Sequence, residues 1–301
     1  MKRMIVHGGA WDIPHELHED HKRGCLRALA IGQGLLDSGE RAIDVVEAAV
    51  VSMEEDCVFD AGCGSFLNEK GKVEMDAIIM DGRTLAFGAV AAIGNVRHPI
   101  QVARSVKERT KHCMLVGDGA TRFAMEMGFE MLEDHCLVSE RELARWRDIQ
   151  RIKGFHQRDA FSGKTPAPMG TVGAVAIDDQ GDIAVATSTG GTPNKMSGRV
   201  GDSPLVGCGT YADNNSAGVS ATGYGEALMK ICVARRVCQS IEAGKSASSA
   251  ANEAIAFLEK RVAGHGGVIL IDRKGEISYA HNTPRMAVAF TDKKGRKRAT
   301  I

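Results

Sequence analysis

Residues 167–178 read Ala167-Pro168-Met169-Gly170-Thr171-Val172-Gly173-Ala174-Val175-Ala176-Ile177-Asp178. A Pro- and Gly-containing segment ends at Gly170-Thr171, and a run of small and β-branched apolar residues begins there. Pro and Gly punctuate turns, whereas Val, Ile and Thr favour strands. The plain reading is therefore a threonine that opens a strand. The second reading is a nucleophile that cleavage of the Gly170–Thr171 bond exposes as a new N-terminus.

Upstream, residues 151–170 are polar, basic and broken by Gly154, Gly163, Pro166 and Pro168, which marks a linker. Its Ser162-Gly163-Lys164-Thr165 is like the end of a phosphate-binding loop. However, Arg158 stands where the first glycine is needed and no strand precedes it, so a nucleotide site is excluded. Downstream, 172–177 and 183–189 read as strands joined by the turn Asp178-Asp179-Gln180-Gly181, and 217–222 as a third. Gly207 to Ala212 fits the loosest G-x-G-x-x-A spacing, but no strand–helix–strand unit surrounds it and no acid stands where a ribose needs one. Helices over 227–241 and 247–262 and strands over 267–272, 277–282 and 287–291 follow. The basic run Asp292 to Arg298 reads as a solvated end.

In the first half, residues 4–10 predict a buried strand entering a glycine turn, with His7 structural. His15, His18 and His21 recur every third residue and read as a solvated helix start rather than a metal site. Helical spacing covers 25–36 and 42–53, an acidic loop spans 54–64, and 73–80 with 86–93 reads as a hairpin. Pro99 opens a helix to Lys107, 120–127 forms another, and helical character runs to about Gln150. Paired helices and hairpin-linked strands argue for α+β layers, with helices outside and antiparallel sheets inside.

Composition narrows the function classes. The 301 residues are 44% hydrophobic and 25% charged, as in an ordinary globular protein with a substantial core. Lys plus Arg and Asp plus Glu both total 38, so no net field draws the chain to nucleic acid or to a membrane. No stretch approaches the roughly 18 apolar residues of a membrane-spanning helix, and the N-terminus turns to glycine too soon for a signal-peptide core. A cytoplasmic location is the expectation. The eight cysteines lack CxxC spacing, and we expect them reduced, largely buried and without a disulfide framework.

Three strand ends then converge. Thr171 begins one strand, Thr189 ends the next before Gly190, and Thr222 ends the third before Gly223. Adjacent strands finishing this way gather hydroxyls and backbone N–H groups at one sheet edge. The motifs His7-Gly8-Gly9-Ala10, Ala61-Gly62-Cys63-Gly64-Ser65, Glu74-Met75-Asp76-Ala77, Gly170-Thr171-Val172-Gly173, Ser188-Thr189-Gly190-Gly191, Gly198-Arg199-Val200-Gly201-Asp202-Ser203-Pro204 and Thr222-Gly223-Tyr224-Gly225-Glu226 run in a fixed order. In that order the chain resembles the plant-type L-asparaginase and isoaspartyl aminopeptidase family of N-terminal-nucleophile hydrolases, which includes glycosylasparaginase. The resemblance covers residues 4 to about 226, and the closing strands also fit.

The resemblance implies a four-layer αββα sandwich spanning 1–301. It further implies autocleavage at Gly170–Thr171 into an α subunit of 1–170 and a β subunit of 171–301. A threonine hydroxyl is a poor nucleophile without a base. Cleavage supplies one in the same residue, an α-amine of ordinary pKa about 7.7–8.0, close to where a general base works best. By the same resemblance Thr189 orients Thr171, and Thr222 with the Gly223 N–H forms an oxyanion hole. Arg199 holds the substrate α-carboxylate, and Asp202 with Gly225 holds its α-ammonium. Gly8, Gly9 and Asp60 lie beside the nucleophile. The backbone carbonyls of Met53, Glu54, Asp56, Phe59, Ala61 and Cys63 match a loop that holds a structural sodium ion in the family. The implied substrates are L-asparagine and isoaspartyl dipeptides, with no cofactor for the chemistry, and the implied assembly is a homodimer of αβ units.

One position departs from the pattern: Phe59-Asp60-Ala61-Gly62 replaces the family's Phe-Asn-Ala-Gly. A carboxylate beside the Thr171 α-amine would raise its pKa and weaken it as a base. The sequence-based expectation is that Asp60 slows maturation, catalysis or both. The alternative function is an uncleaved, weakly active or non-enzymatic binding relative, supported by Asp60 alone.

Overall fold

The structure, a computed structural model, describes residues 2–152, 154–156 and 170–301. Most of the expected linker at 151–170, including Ser162 to Thr165, lies outside the described residues. In chain order the elements begin with β1 (Arg3–Trp11), α1 (His18–Ser38), α2 (Ala42–Glu54), β2 (Met75–Asp81) and β3 (Phe87–Ile93). Next come α3 (Pro99–Arg109), β4 (Met114–Val116), α4 (Gly117–Glu126) and α5 (Glu140–Gln150). The part that begins at the glycine–threonine junction contributes β5 (Val172–Ile177), β6 (Ile183–Thr189), β7 (Thr210–Ala212) and β8 (Ala217–Gly223). It continues with α6 (Gly225–Ile231), α7 (Val233–Glu242), α8 (Ala247–Val262), β9 (Gly266–Asp272), β10 (Ile277–His281), β11 (Arg285–Thr291) and β12 (Lys297–Thr300).

Two sheets result: eight strands in the order β12-β11-β1-β5-β6-β2-β3-β4, and four in the order β10-β9-β8-β7. Successive strand side chains face opposite sides, and the burial pattern uses that rule to build layers. Val172, Ala174 and Ala176 of β5 join the core under the helices of the first half, while Val175 and Ile177 join the core between the sheets. In β9, Val268 and Leu270 face α6–α8, and Ile269 and Ile271 face the other sheet. The architecture is therefore a four-layer α+β sandwich, αββα, as expected. At about 1.5–3 kcal/mol per fully buried Val, Ile or Leu side chain, these three clusters outweigh any single polar contact in holding the layers together.

Small residues set the sheet separation. A Cβ on Gly218 would sit 2.7 Å from Ile183 and 2.8 Å from both Val175 and Val185, so β8 packs flat on β5 and β6 only as glycine. The alternation also places the sites. Thr171 and Gly173 share parity with Val175 and Ile177, Thr187 and Thr189 with Ile183 and Val185, and Ser220 and Thr222 with Gly218. All six positions therefore lie on faces between the sheets.

Several expectations need correction. The basic tail is not simply solvated: Lys297–Thr300 pairs antiparallel with β11 and extends the large sheet. The expected helix over 227–241 breaks at Cys232, whose φ of 48° is left-handed. The short strands β4 and β7 escape a periodicity reading because three residues cannot show a period. His21 is not solvated; it is buried edge-on between Trp11 and Phe59. Cys57 and Cys63 form a disulfide, where all eight cysteines were expected reduced, and Cys113, Cys136 and Cys232 are exposed rather than buried.

Candidate active site

Pairing of β5 with β6 sets Val172 against Ser188 and Gly173 against Thr187. The next step of that ladder brings Thr171 to Thr189. Their hydroxyls are 3.0 Å apart, Thr171 donating, with Thr171 only 8% exposed. Thr189 Oγ1 also accepts from the Gly191 N–H at 2.9 Å and donates to Asp60 Oδ2 at 3.3 Å. The three side chains make one directed relay, from the Thr171 hydroxyl through Thr189 to the Asp60 carboxylate. Such a relay draws the proton side of Thr171 away from the face that attacks.

Asp60 does more than end this relay. Its Oδ1 accepts from the Phe66 N–H at 3.0 Å, and its own N–H points at the Gly170 carbonyl at 3.4 Å. The carbonyl of the Gly170–Thr171 peptide bond thus has a backbone donor beside it. Burial holds the Asp60 carboxyl well above the ordinary range; the Phe66 N–H opposes this, Glu142 adds to it, and Lys195 opposes it. The expectation from sequence set Asp60 against the α-amine of Thr171. The geometry adds a role in the uncut chain, where that amine is still a peptide N–H. Asparagine at this position would face Thr189 with an N–H donor unless it gave up the Phe66 bond. This reverses the maturation half of that expectation: we expect Asp60→Asn to slow self-cleavage about 2–10-fold, the worth of a hydrogen bond at ~0.5–1.5 kcal/mol. A time course on denaturing gels checks this, and cleavage as fast as or faster than that of the parent chain contradicts it.

Gly170 lies against Gly9 because neither carries a side chain. A Cβ on Gly9, whose φ is 102°, would sit 2.4 Å from the Gly170 Cα, and one on Gly170 2.3 Å from the Gly9 Cα. A Cβ on Gly8 would sit 2.3 Å from the Phe59 ring. Gly9 therefore lies against the residue that precedes Thr171, whereas a side chain on Gly8 would meet Phe59 and Cys25. Gly9→Ala is expected to displace Gly170 and abolish self-cleavage on a scale of hours while leaving the chain folded. A two-band gel pattern like the parent's would contradict this.

His7, read as structural, pairs with Gly173 across β1 and β5, and its Nε2 lies 2.9 Å from Ser220 Oγ in the facing sheet. Burial pushes its imidazole down to about 3, with the Thr171 backbone pulling the other way. The ring is neutral at any working pH. The Ser220 hydroxyl continues to Thr187 at 2.8 Å, and Thr210 donates to Thr187 at 2.6 Å. This buried polar ladder ties the sheets together two residues beyond Thr171 on one strand and two before Thr222 on another. Gly223 has φ 141°, and a Cβ there would sit 2.4 Å from the Gly266 Cα. Thr222 Oγ1 is buried with no hydrogen-bond partner among the described residues.

Arg199, Asp202 and Gly225 gather on one spot: a Cβ on Gly225 would lie 2.9 Å from Arg199 Nη2 and 3.0 Å from Asp202 Oδ1. Glu226, quoted within a motif but given no role from sequence, takes the Nε and Nη2 edge of Arg199 at 2.9 and 2.8 Å. Burial works against the Arg199 charge, yet the Glu226 carboxylate lifts the guanidinium above its ordinary value. A guanidinium carries five N–H donors, so the Nη1 edge stays available for a second carboxylate. Burial pushes the Asp202 carboxyl up to about 7 against the pull of Arg199, and its Oδ2 has no partner among the described residues.

Two further residues were given no role from sequence, Asp76 being quoted only within a motif and Lys195 not at all. Lys195 is fully buried and donates to the Glu74 carbonyl at 2.6 Å, and Asp76 is fully buried and accepts from Ala92 and Gly201 N–H groups. Burial lowers the Lys195 pKa, and Asp76 is the carboxylate that most opposes this. Asp76 had a signal in the sequence, a lone acid in an apolar strand, because unpaired acids are rarely buried. Lys195 sits in a polar loop and had none.

In the 53–64 loop, glycines crowd the carbonyls: a Cβ on Gly62 would lie 2.2 Å from the Glu54 oxygen, and one on Gly64 1.9 Å from that of Phe59. Backbone oxygens are the donors that a hard cation takes, and glycine at 62 and 64 lets this loop close on the Glu54 and Phe59 carbonyls. Arg141 donates to the Cys57 carbonyl on its rim. Clefts of about 380, 330 and 560 Å³ lie elsewhere. Two of these are lined by Arg3, which pairs with Ile177 at the other end of β5 from Thr171.

Comparison with known proteins finds relatives over nearly the whole chain. The asparaginase family model matches residues 1–301. Isoaspartyl peptidase/L-asparaginase of Xenopus laevis is 44% identical over 286 residues, covering 95% of this chain and 91% of the relative. The Danio rerio protein of that name is 46% identical over 90% of this chain and 86% of its own. The Homo sapiens protein is 45% identical over 91% and 87%.

Proposed function

The chain belongs to the asparaginase family of N-terminal-nucleophile hydrolases, and on that premise we propose that it hydrolyses L-asparagine and β-aspartyl dipeptides after cutting itself before Thr171. The observation that carries this is the Thr171 hydroxyl hydrogen-bonded at 3.0 Å to Thr189 directly after Gly170. In this reading Thr171 attacks its own upstream carbonyl, and the resulting ester is hydrolysed to leave a free α-amine. That amine then serves as base for the same hydroxyl when a side-chain amide arrives.

Arg199 and Asp202 suit the two charges of a free aspartyl end, which is why an amide within a longer chain would be refused. Thr222 and the Gly223 N–H receive the oxyanion; losing one such donor costs about 10²–10³ in rate. Thr171 carries the β-aspartyl group until water releases aspartate. The relatives' shared name, isoaspartyl peptidase/L-asparaginase, supports both substrates. Ammonia release from L-asparagine and aspartate release from a β-aspartyl dipeptide test the reading; neither appearing from a fully cut preparation would overturn it.

A pH dependence follows from Asp202. Only its ionised form attracts the substrate ammonium, and its carboxyl titrates at about 7. Affinity for the product L-aspartate is expected to fall roughly tenfold per unit as pH drops below 7. It should level off above 7. Inhibition constants from pH 5 to 8 check this, and a flat profile contradicts it.

The reading also includes a sodium ion held by the carbonyls of Met53, Glu54, Asp56, Phe59, Ala61 and Cys63, a homodimer of αβ units and a cytoplasmic location. Loss of thermal stability on exchanging sodium for a bulky organic cation, and the mass in solution, test the first two.

A further inference from the structure

Two thiols that the proposed chemistry does not use meet at one backbone carbonyl beside the substrate end. Cys208 Sγ lies 4.0 Å from the Met229 carbonyl oxygen, and Cys232 Sγ lies 3.7 Å from the same oxygen. Cys232 is also the neighbouring group that acts on the Cys208 thiol after burial. The backbone brings them there. The carbonyls of Gly207 and Cys208 accept from the N–H groups of Arg235 and Ala234 and so cap the start of α7. Cys232, left-handed at φ 48°, is the hinge between α6 and α7. Cys232 is exposed and Cys208 half-buried.

Each thiol belongs to one arm of the substrate end. The Gly209 N–H, next to Cys208, donates to the Asp202 carbonyl at 2.9 Å. Cys232 ends the seven-residue helix α6, whose first residues are Gly225 and Glu226, the latter clamping Arg199. We propose that Cys208 and Cys232 form a modification site that low-molecular-weight disulfides oxidise to an intramolecular disulfide, tying the Asp202 loop to helix α6. The exposed Cys232 thiolate attacks one sulfur of a disulfide such as oxidised glutathione, forming a mixed disulfide and releasing one thiolate. The Cys208 thiolate then attacks the Cys232 sulfur, forming the new S–S bond and releasing the second thiolate. The protein loses two protons and two electrons, and the glutathione disulfide becomes two thiols. Burial first, and the neighbouring Cys232 second, push the Cys208 thiol up to about 12, which makes it the resolving partner rather than the entry point.

Closing the bond to about 2.05 Å draws the 207–209 turn toward the α6–α7 hinge and carries the Asp202 main chain with it. We expect KM for L-asparagine to rise about tenfold with kcat little changed, within the ~10²-fold that a 1 Å misplacement can cost. That kinetic consequence rests on the proposed function; the cross-link does not.

Equilibration of the whole protein in glutathione redox buffers, followed by non-reducing peptide mapping, tests the site. The expected result is a Cys208–Cys232 linked peptide lighter by two hydrogens, distinct from the Cys57–Cys63 link and reversed by a dithiol reductant. The KM rise should vanish in both Cys208→Ser and Cys232→Ser. No linked peptide across the buffer series, or the same KM response in either serine variant as in the parent, would overturn the proposal. If the chain hydrolyses neither substrate, the proposed function fails, while the peptide map still decides the thiol site.

Discussion

Thr171→Ala is expected to remain a single chain of 32.1 kDa and to lose asparagine and dipeptide hydrolysis by on the order of 10⁶-fold, the cost of removing a nucleophile that works as a unit with its base. The size of the effect comes from the uncommon economy of the site. One residue supplies the hydroxyl that cuts the chain, the amine that the cut creates, and the hydroxyl that attacks the substrate. In the structure that hydroxyl donates to Thr189 at 3.0 Å, and the Asp60 N–H faces the Gly170 carbonyl. Alanine removes every one of these functions and costs the fold little, because Thr171 lies at the very start of β5 rather than inside its packed run. Thr171→Ser separates the two explanations of such a loss. It keeps a hydroxyl and should cut and turn over more slowly, whereas a purely structural threonine would tolerate alanine as well as serine.

The second large effect is expected at Arg199. Arg199→Ala should lower kcat/KM by about 10²–10³-fold, mostly through KM, and leave self-cleavage at the parent rate. The loss of a buried charged hydrogen-bonding partner costs about 2–5 kcal/mol, and here two consequences add. The substrate α-carboxylate loses its fork, and Glu226, which Arg199 holds below its ordinary pKa against the cost of burial, loses both hydrogen bonds to the guanidinium. A second carboxylate then meets a repelling one. Initial rates over a range of asparagine concentrations, with a gel of the same preparation, check both halves. A fall in kcat at unchanged KM, or an uncut chain, would contradict the assignment. Arg199→Lys should recover only part of the loss, since an ammonium is a point charge and cannot serve Glu226 and substrate along two edges.

Much of this was legible in the chain itself. Runs of small and β-branched apolar residues over 172–177 and 183–189 predicted strands, and the structure pairs them antiparallel with Thr171 beside Thr189. The third strand was read as ending at Thr222, and β8 runs one residue further, to Gly223. What escaped the sequence depended on partners distant in the chain. The Glu226 clamp on Arg199 spans 27 residues and the Asp60–Thr189 contact 129, so neither leaves a local pattern. The left-handed break at Cys232 carries no glycine or proline to announce it. The contact of Gly170 with Gly9 joins the residue before Thr171 to an irregularity in β1, 161 positions away, and only the folded chain explains why both must be glycine. The strand β12 is highly charged, and pairing with an edge strand overrode its composition.

The central claim is that Thr171 becomes an N-terminus. Intact-mass analysis of the purified protein, with sequencing of the smaller species, addresses it most directly. The prediction is two chains of about 18 and 14 kDa, the 32.1 kDa total divided in proportion to length. The smaller should begin Thr171-Val172-Gly173-Ala174, and hydrolysis of L-asparagine should rise in step with its appearance. A whole 301-residue chain that hydrolyses L-asparagine at full rate, or a cut at any other bond, would contradict the account.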